Sequence, residues 1–224
     1  MTTWAFAAID LPGHGLSSSE NCQPTLEGIA DVISLSLNEK GWSPTMVVGH
    51  SFGGKTVLEL SKKYASIEHI WLLDAPVGAE LTVTGVSTIT KILSLIREIT
   101  APESREEVRR IFEREFSASI AGWMTTNLRR DGMRWQWKLD PDFIERALSD
   151  YLRCDYWSLI EGSDQNASFH HVLAGQGSWW RGSIERRLRS RQNNTVNVLP
   201  NAGHWLHVDD LPGLVACFQR KYID

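Results

Sequence analysis

The stretch Gly49-His-Ser-Phe-Gly-Gly54 follows the apolar run Thr45-Met-Val-Val48. It contains the pattern Gly-x-Ser-x-Gly at the junction of a predicted strand and a predicted helix. A sharp turn at such a junction, the nucleophile elbow, projects a serine hydroxyl above the end of a parallel sheet. Glycines on both sides of Ser51 keep side chains away from the adjoining strand and helix in this strained turn. The stretch therefore predicts that Ser51 is the nucleophile of a serine hydrolase site.

The elements on either side of the elbow alternate between strand and helix. Strands are predicted at 4–9, 45–49, 68–73, 169–173 and 195–199, and helices at 26–37, 52–64 and 179–191 and from Asp209 onward. This alternation with short loops predicts an α/β fold with a parallel sheet of about five strands and helices on both faces. Between 77 and 167 amphipathic helices interrupt the alternation and predict an inserted helical lid. The expected domains are a core of 1–76 and 168–224 and a lid of 77–167.

A serine nucleophile needs a base, because an ordinary hydroxyl is weakly nucleophilic near neutral pH. Among the seven histidines, His204 lies in a loop of small residues directly after the last predicted strand. Such a loop reaches the same sheet edge as the elbow. His207 is the nearest alternative. A His204–His207 metal pair has no third ligand at supporting spacing, so neither a metal nor a cofactor is predicted.

A carboxylate must hold the imidazole in the right tautomer. Asp74 ends the strand that follows the elbow helix, which makes it the first choice. The loop after the strand at 169–173 reads Gly175-Gln-Gly-Ser178 and contains no carboxylate. Three weaker alternatives near the end of the lid stay open: Asp155, Glu161 and Asp164.

Composition narrows the class of protein. The 224 residues suit one domain with an inserted subdomain, and a formal net charge of −4 argues against a nucleic-acid surface. Three widely spaced cysteines suggest no disulfide framework and favour a reducing, cytoplasmic location. Neither a signal segment nor a membrane-spanning apolar segment is predicted.

These residues together resemble the α/β-hydrolase superfamily over essentially the whole chain. The resemblance lies in Asp10-Leu-Pro-Gly-His-Gly-Leu-Ser17, in the elbow, and in Asn201-Ala-Gly-His-Trp-Leu-His207. More narrowly, Leu73-Asp-Ala-Pro-Val77 and the lid segment with Trp123 and Trp135-Gln-Trp137 resemble a branch of small acyl-ester hydrolases. That branch places its acid at the position of Asp74 and carries Gly-x-x-Ser where others carry a later aspartate.

The resemblance also exposes a departure. Relatives carry further strands and a His-Gly oxyanion loop before the Asp10 loop, and one of those strands lies between the counterparts of 4–9 and 45–49. The chain is thus expected to be an N-terminally truncated form that pairs these two strands directly, leaves an open edge, or forms a homodimer through that edge. One oxyanion donor is the Phe52 N–H. A second donor would come from the Gly13–Gly15 loop, or catalysis is impaired, because losing one donor costs about 10²–10³ in rate.

The resemblance implies a serine esterase or thioesterase that acts on small acyl substrates through an acyl-serine intermediate. The assigned catalytic residues are Ser51, Asp74 and His204, and the assigned pocket residues are His50, Trp123 and Trp205. Two other functions stay open: a weakly active binding protein with this fold, and a lyase or carbon–carbon hydrolase that uses the same triad.

Overall fold

The computed structural model describes residues 4–79, 83–162, 167–177 and 179–222. In chain order its elements are α1 (Leu26–Glu39), β1 (Met46–His50), α2 (Phe52–Ser61), β2 (His69–Leu73), α3 (Val83–Glu98), α4 (Arg105–Glu113), α5 (Ala118–Thr126), β3 (Leu128–Asp131), β4 (Arg134–Trp137), α6 (Pro141–Arg153), α7 (Trp157–Glu161), β5 (Ser168–Ala174), α8 (Ser183–Arg189), β6 (Asn194–Leu199), α9 (Leu206–Asp209) and α10 (Leu211–Tyr222).

The chain packs as two compact units. The sheet unit comprises Thr25–Thr82 and Leu148–Asp224, and the helical unit comprises Met1–Pro24 and Val83–Ala147. The predicted lid, 77–167, includes the second stretch of the helical unit and extends beyond it at both ends. The structure groups the first residues of the chain with these helices, whereas the prediction placed them in the core.

The sheet of the sheet unit is parallel, with the strand order β1-β2-β5-β6. In the register of the strands, His50 lies opposite Leu73, and Leu73 lies opposite Val172. Because parallel strands end at one edge, Ser51 and Asp74 leave the sheet side by side. The register therefore brings the elbow and the predicted acid to the same edge.

Helices cover both faces of this sheet. Trp71, Leu73 and Val172 form one face and pack with Leu206 and Leu214 of the two last helices. On the other face an added Cβ at Gly54 of α2 would lie 3.6 Å from a methyl of Leu72. Since Leu72 alternates with its neighbours along β2, α2 packs against the opposite side of the sheet.

The predicted strand at 4–9 is wrong. These residues form no strand, and Phe6 is 83% exposed. The sheet of the described residues therefore has four strands rather than about five, and β1 lies at its edge with Val48 46% exposed. A strand acquires its hydrogen bonds from a neighbour, so an apolar sequence without a pairing partner does not form one.

The helical unit has its own apolar core. The core residues come from α3, α4, α5 and β3: Ile92, Leu93, Ile96, Val108, Phe112, Ala121, Met124 and Leu128. Ser104 accepts the Glu107 N–H at 3.1 Å at the start of α4, and Asp140 accepts the Phe143 N–H at 3.0 Å at the start of α6. Side-chain caps therefore begin both helices.

Candidate active site

Ser51 occupies a strained turn between β1 and α2. Its φ of 51° and ψ of −116° lie outside the regions that a residue with a side chain prefers. Its N–H donates to the Leu73 carbonyl at 3.0 Å, which ties the turn to the neighbouring strand. Strain of this kind costs about 1–3 kcal/mol and persists where the surroundings impose it. The packing of α2 against the sheet thus holds Ser51 in the geometry of an elbow.

Two of the elbow glycines are required by close approach. A Cβ added at Gly49 would lie 2.1 Å from the Gly53 carbonyl oxygen, and one at Gly54 would lie 2.2 Å from the Ala75 Cβ. Both distances are far below van der Waals contact. At Gly53 an added Cβ meets no described atom within 4 Å. The steric reason for glycine therefore holds at positions 49 and 54 and not at position 53.

Asp74 and His204 are hydrogen-bonded to each other. The Nδ1 of His204 lies 2.8 Å from the Oδ2 of Asp74, whose side chain is 2% exposed. The other carboxylate oxygen accepts the Ala174 N–H at 3.0 Å and the Trp179 Nε1–H at 3.2 Å. Donors on both oxygens hold the carboxylate in place. Because a carboxylate accepts, His204 donates its Nδ1 proton, and its Nε2 is then the basic nitrogen.

His50 contacts the His204 loop. Its Nε2 donates to the His204 carbonyl oxygen at 2.7 Å, and the two rings have centroids 4.7 Å apart. Trp205 lies 5.5 Å from the His50 ring and 5.6 Å from the His204 ring, and His207 lies 5.6 Å from the His50 ring. Burial, together with the neighbouring His204, lowers the pKa of His50 to about 4. His50 is therefore neutral near pH 7 and available as a donor to this loop.

The weaker acid candidates have other partners. Asp155 accepts the Trp157 N–H at 2.9 Å, and Glu161 pairs with the Arg187 guanidinium at 2.6 and 2.8 Å. Asp164 lies outside the described residues. Of the carboxylates that the sequence suggested, Asp74 is the one that the structure joins to His204.

The predicted oxyanion donors differ in their surroundings. Phe52 is the first residue of α2, and N–H groups in the first turn of a helix have no acceptor within the helix. In the loop suggested as the second source, the Gly13 N–H donates to Ser17 at 3.0 Å and the His14 N–H donates to Leu11 at 2.8 Å. Those two amides are therefore already hydrogen-bonded within the loop.

The predicted pocket residue Trp123 lies on α5 of the helical unit and is 41% exposed.

Two residues near the site were missed by sequence reasoning. The Trp179 indole binds Asp74, and the Tyr151 hydroxyl lies near Ser51. The helical pattern of α6 predicts only that Tyr151 lies on the apolar side. No local signal identifies either contact, because both depend on how distant segments pack.

The fold and the strand-end residues define the class of protein. A parallel sheet covered by helices on both faces, with a serine in a sharp strand-to-helix turn, is typical of α/β hydrolases. The family model described as "Alpha/beta hydrolase family" matches residues 3–216, and the chain belongs to this family.

Curated relatives are distant. The chain is 25% identical over 211 residues to the sn-1-specific diacylglycerol lipase ABHD11 of Mus musculus, a match that covers 90% of the chain and 66% of the lipase. It is 26% identical over 240 residues to the N-formylmaleamate deformylase of Pseudomonas putida, covering 96% of the chain and 82% of that enzyme. The chain thus spans just under two thirds of the length of the mouse lipase.

Solved structures share the fold. A marine microorganism esterase superposes with a TM-score of 0.79 at 19% identity, covering 94% of this chain and 82% of the esterase. An E-2-(acetamidomethylene)succinate hydrolase superposes with a TM-score of 0.72 at 15% identity, covering 94% of this chain and 78% of that hydrolase.

Among the described residues, the helices are too short or too polar to cross a bilayer.

Proposed function

We propose that the chain is a serine hydrolase that cleaves carboxylic ester or thioester bonds of small acyl substrates through an acyl-serine intermediate. The observation that carries the proposal is the 2.8 Å hydrogen bond between His204 and buried Asp74, at the sheet edge where Ser51 leaves the adjacent strand. The lipase, deformylase and esterase names of the similar proteins support an acyl substrate.

Each residue has a role in this mechanism. His204 takes the Ser51 proton at Nε2 while Ser51 Oγ bonds to the acyl carbon, and the carbonyl π electrons move to oxygen. The Phe52 N–H donates to that oxyanion. As the oxyanion collapses, the bond to the leaving group breaks and His204 protonates the leaving group. Water then repeats the sequence on the acyl-serine, with His204 as the base.

Asp74 acts on the imidazole rather than on the substrate. It keeps the proton on Nδ1 and stabilises the imidazolium that forms when Nε2 takes the Ser51 proton. His50 and Trp205 are part of the proposed pocket because their rings adjoin His204. The assignment of Trp123 to the pocket stays a prediction from the sequence.

The test is hydrolysis of p-nitrophenyl acetate and labelling by a fluorophosphonate, with the modified peptide identified. We expect labelling on Ser51, and we expect Ser51→Ala to lose labelling and about 10⁶-fold in kcat. Ser36→Ala is the matched control, because Ser36 lies on α1 and its hydroxyl binds only a helix carbonyl in the structure. Full hydrolysis by Ser51→Ala would contradict the proposal. Turnover of diketones in place of esters would favour carbon–carbon cleavage.

The exposed edge of β1 also bears on the oligomeric state of the protein. An edge strand presents unpaired backbone groups to other chains, and Val48 on this strand is exposed. We expect a homodimer through this edge, measured by light scattering at several concentrations. A strictly monomeric chain at high concentration would contradict it.

A further inference from the structure

Tyr151 lies against the reactive serine. It belongs to the sheet unit, near the end of α6, and is 4% exposed. Its ring stacks on Phe52 with centroids 5.3 Å apart and planes 29° apart, and its hydroxyl lies near the Ser51 side chain. Tyr151 thus lies beside both the nucleophile and the residue whose N–H is the proposed oxyanion donor.

Lys55 holds Tyr151 in this position. Lys55 is fully buried in α2, and its Nζ donates at 2.8 Å to the carbonyl oxygens of Tyr151 and Cys154. The same ammonium lies 4.4 Å from the centroid of the Tyr151 ring. Charge-assisted hydrogen bonds and cation–π attraction both favour this arrangement. Lys55 therefore fixes the backbone and the ring of Tyr151 relative to the first turn of α2.

We propose that the Tyr151 hydroxyl is a second donor to the oxyanion formed at Ser51, beside the Phe52 N–H. The inference rests on the proposed acyl-serine mechanism. In the free protein the hydroxyl lies near Ser51. When Ser51 Oγ bonds to the acyl carbon and the carbonyl electrons move to oxygen, the Tyr151 O–H turns to donate to that oxygen. Tyr151 keeps its proton throughout, and His204 carries the proton of Ser51 to the leaving group.

The protonation state of Tyr151 suits this role. Burial, reinforced by the nearby negative charge of Asp74, raises the pKa of the phenol above its ordinary value. The hydroxyl is therefore protonated at all pH values at which an esterase is assayed. A preorganised donor of this kind contributes about 10²–10³ in rate when its removal is measured in other enzymes.

Tyr151→Phe tests the inference because it removes the hydroxyl and keeps the ring that stacks on Phe52 and faces Lys55. We expect kcat for p-nitrophenyl acetate to fall about 10²-fold with KM nearly unchanged. We also expect the Ki of a trifluoromethyl ketone, whose adduct with Ser51 carries an oxyanion, to rise by the factor by which kcat/KM falls. The matched control is Tyr156→Phe, which removes a buried hydroxyl that binds Glu59, away from Ser51.

The outcomes separate this inference from the proposed function. If the wild type hydrolyses esters through Ser51 and Tyr151→Phe is equally fast, the inference fails alone. A lower kcat with an unchanged ketone Ki also overturns it, because the hydroxyl would then orient Ser51 only. Absence of hydrolysis and of Ser51 labelling in the wild type overturns both.

If Tyr151→Phe does not fold, 3-fluorotyrosine at position 151 provides a stronger donor of the same shape. A tighter ketone Ki then supports the inference, and an unchanged one refutes it.

Discussion

The two units of the molecule bury different kinds of side chain. In the described part of the chain, the buried polar and charged side chains all belong to the sheet unit: Lys55, Thr56, Ser61, Asp74, His170 and His171. The core of the helical unit, from Ile92 to Leu128, is apolar throughout. Burying a polar group is costly unless it is hydrogen-bonded, so each buried polar group in the sheet unit requires a reason.

Two of these buried groups, Asp74 and Lys55, lie at the candidate active site. Asp74 accepts from three donors, and Lys55 donates to two carbonyl oxygens next to the elbow helix. Among the described residues, the buried side chains of the helical unit include no such polar or charged group. The comparison indicates that substitutions of the buried polar groups at the candidate active site alter the reaction, whereas substitutions in the core of the helical unit alter stability.

The largest effect is expected at Asp74. Asp74→Asn keeps the shape of the side chain and can place an NH₂ opposite Nδ1, which favours the wrong tautomer of His204. We expect kcat for p-nitrophenyl acetate to fall about 10⁴-fold, roughly 5 kcal/mol of transition-state stabilisation. Asp155→Asn is the control and should keep its activity, since Asp155 binds only the start of α7 in the structure. Activity of Asp74→Asn within tenfold of the wild type would contradict the view that the buried polar groups of the sheet unit serve the reaction.

The next effect is expected in the core of the helical unit. Phe112 is fully buried among apolar side chains, and Phe112→Ala leaves a cavity there. We expect the free energy of unfolding to fall by about 3–5 kcal/mol, measured by urea denaturation. Phe116, which packs at the margin of this core, is the control, and Phe116→Ala should cost less. The kcat per active site, titrated with fluorophosphonate, should be unchanged. A tenfold loss would mean that this core also serves the reaction.

The sequence predicts the strand ends well, because they depend on local pattern. The alternation of apolar runs and helical periods places Ser51 and Asp74 after adjacent strands, and the structure has β1 and β2 end at His50 and Leu73. The parallel register then follows from the short connections. The hydrogen bond between Asp74 and His204 is consistent with this reasoning, since both residues follow strands of one sheet.

What the sequence does not predict depends on long-range pairing. Residues 4–9 have strand composition but pair with no strand among the described residues. Tyr151 is held beside the elbow by long-range contacts, since Lys55 binds its carbonyl oxygen and Phe52 stacks on its ring. The hairpin of β3 and β4 is a different case, since Asp131-Gly132 is a turn signal and Gly132 has a φ of 59°. The flanking strands are short and rich in arginine, so their sequence does not show the longer apolar alternation that predicts a strand.

The smallest effect concerns the buried histidine that has no evident role. His171 is fully buried in β5, and among the described residues neither ring nitrogen has a hydrogen-bond partner. We expect His171→Leu to raise the free energy of unfolding at pH 7 by about 1–3 kcal/mol, because an unsatisfied polar group is removed. His170→Leu is the control and should destabilise the protein, since it breaks the contacts of His170 with Thr195 and His69.

The pH dependence of stability sharpens this last prediction. Burial lowers the pKa of His171 to about 3, below its ordinary value of 6.5. Between these values the unfolded chain binds a proton that the folded chain does not, so stability falls as the pH falls through this interval. His171 contributes up to about 1.4 kcal/mol per pH unit to that loss. Urea denaturation of His171→Leu from pH 7 to pH 4 should show a correspondingly shallower decline. An unchanged decline would mean that His171 is already protonated in the folded protein or gains a partner as the pH falls, and the burial of His171 would then carry no net cost.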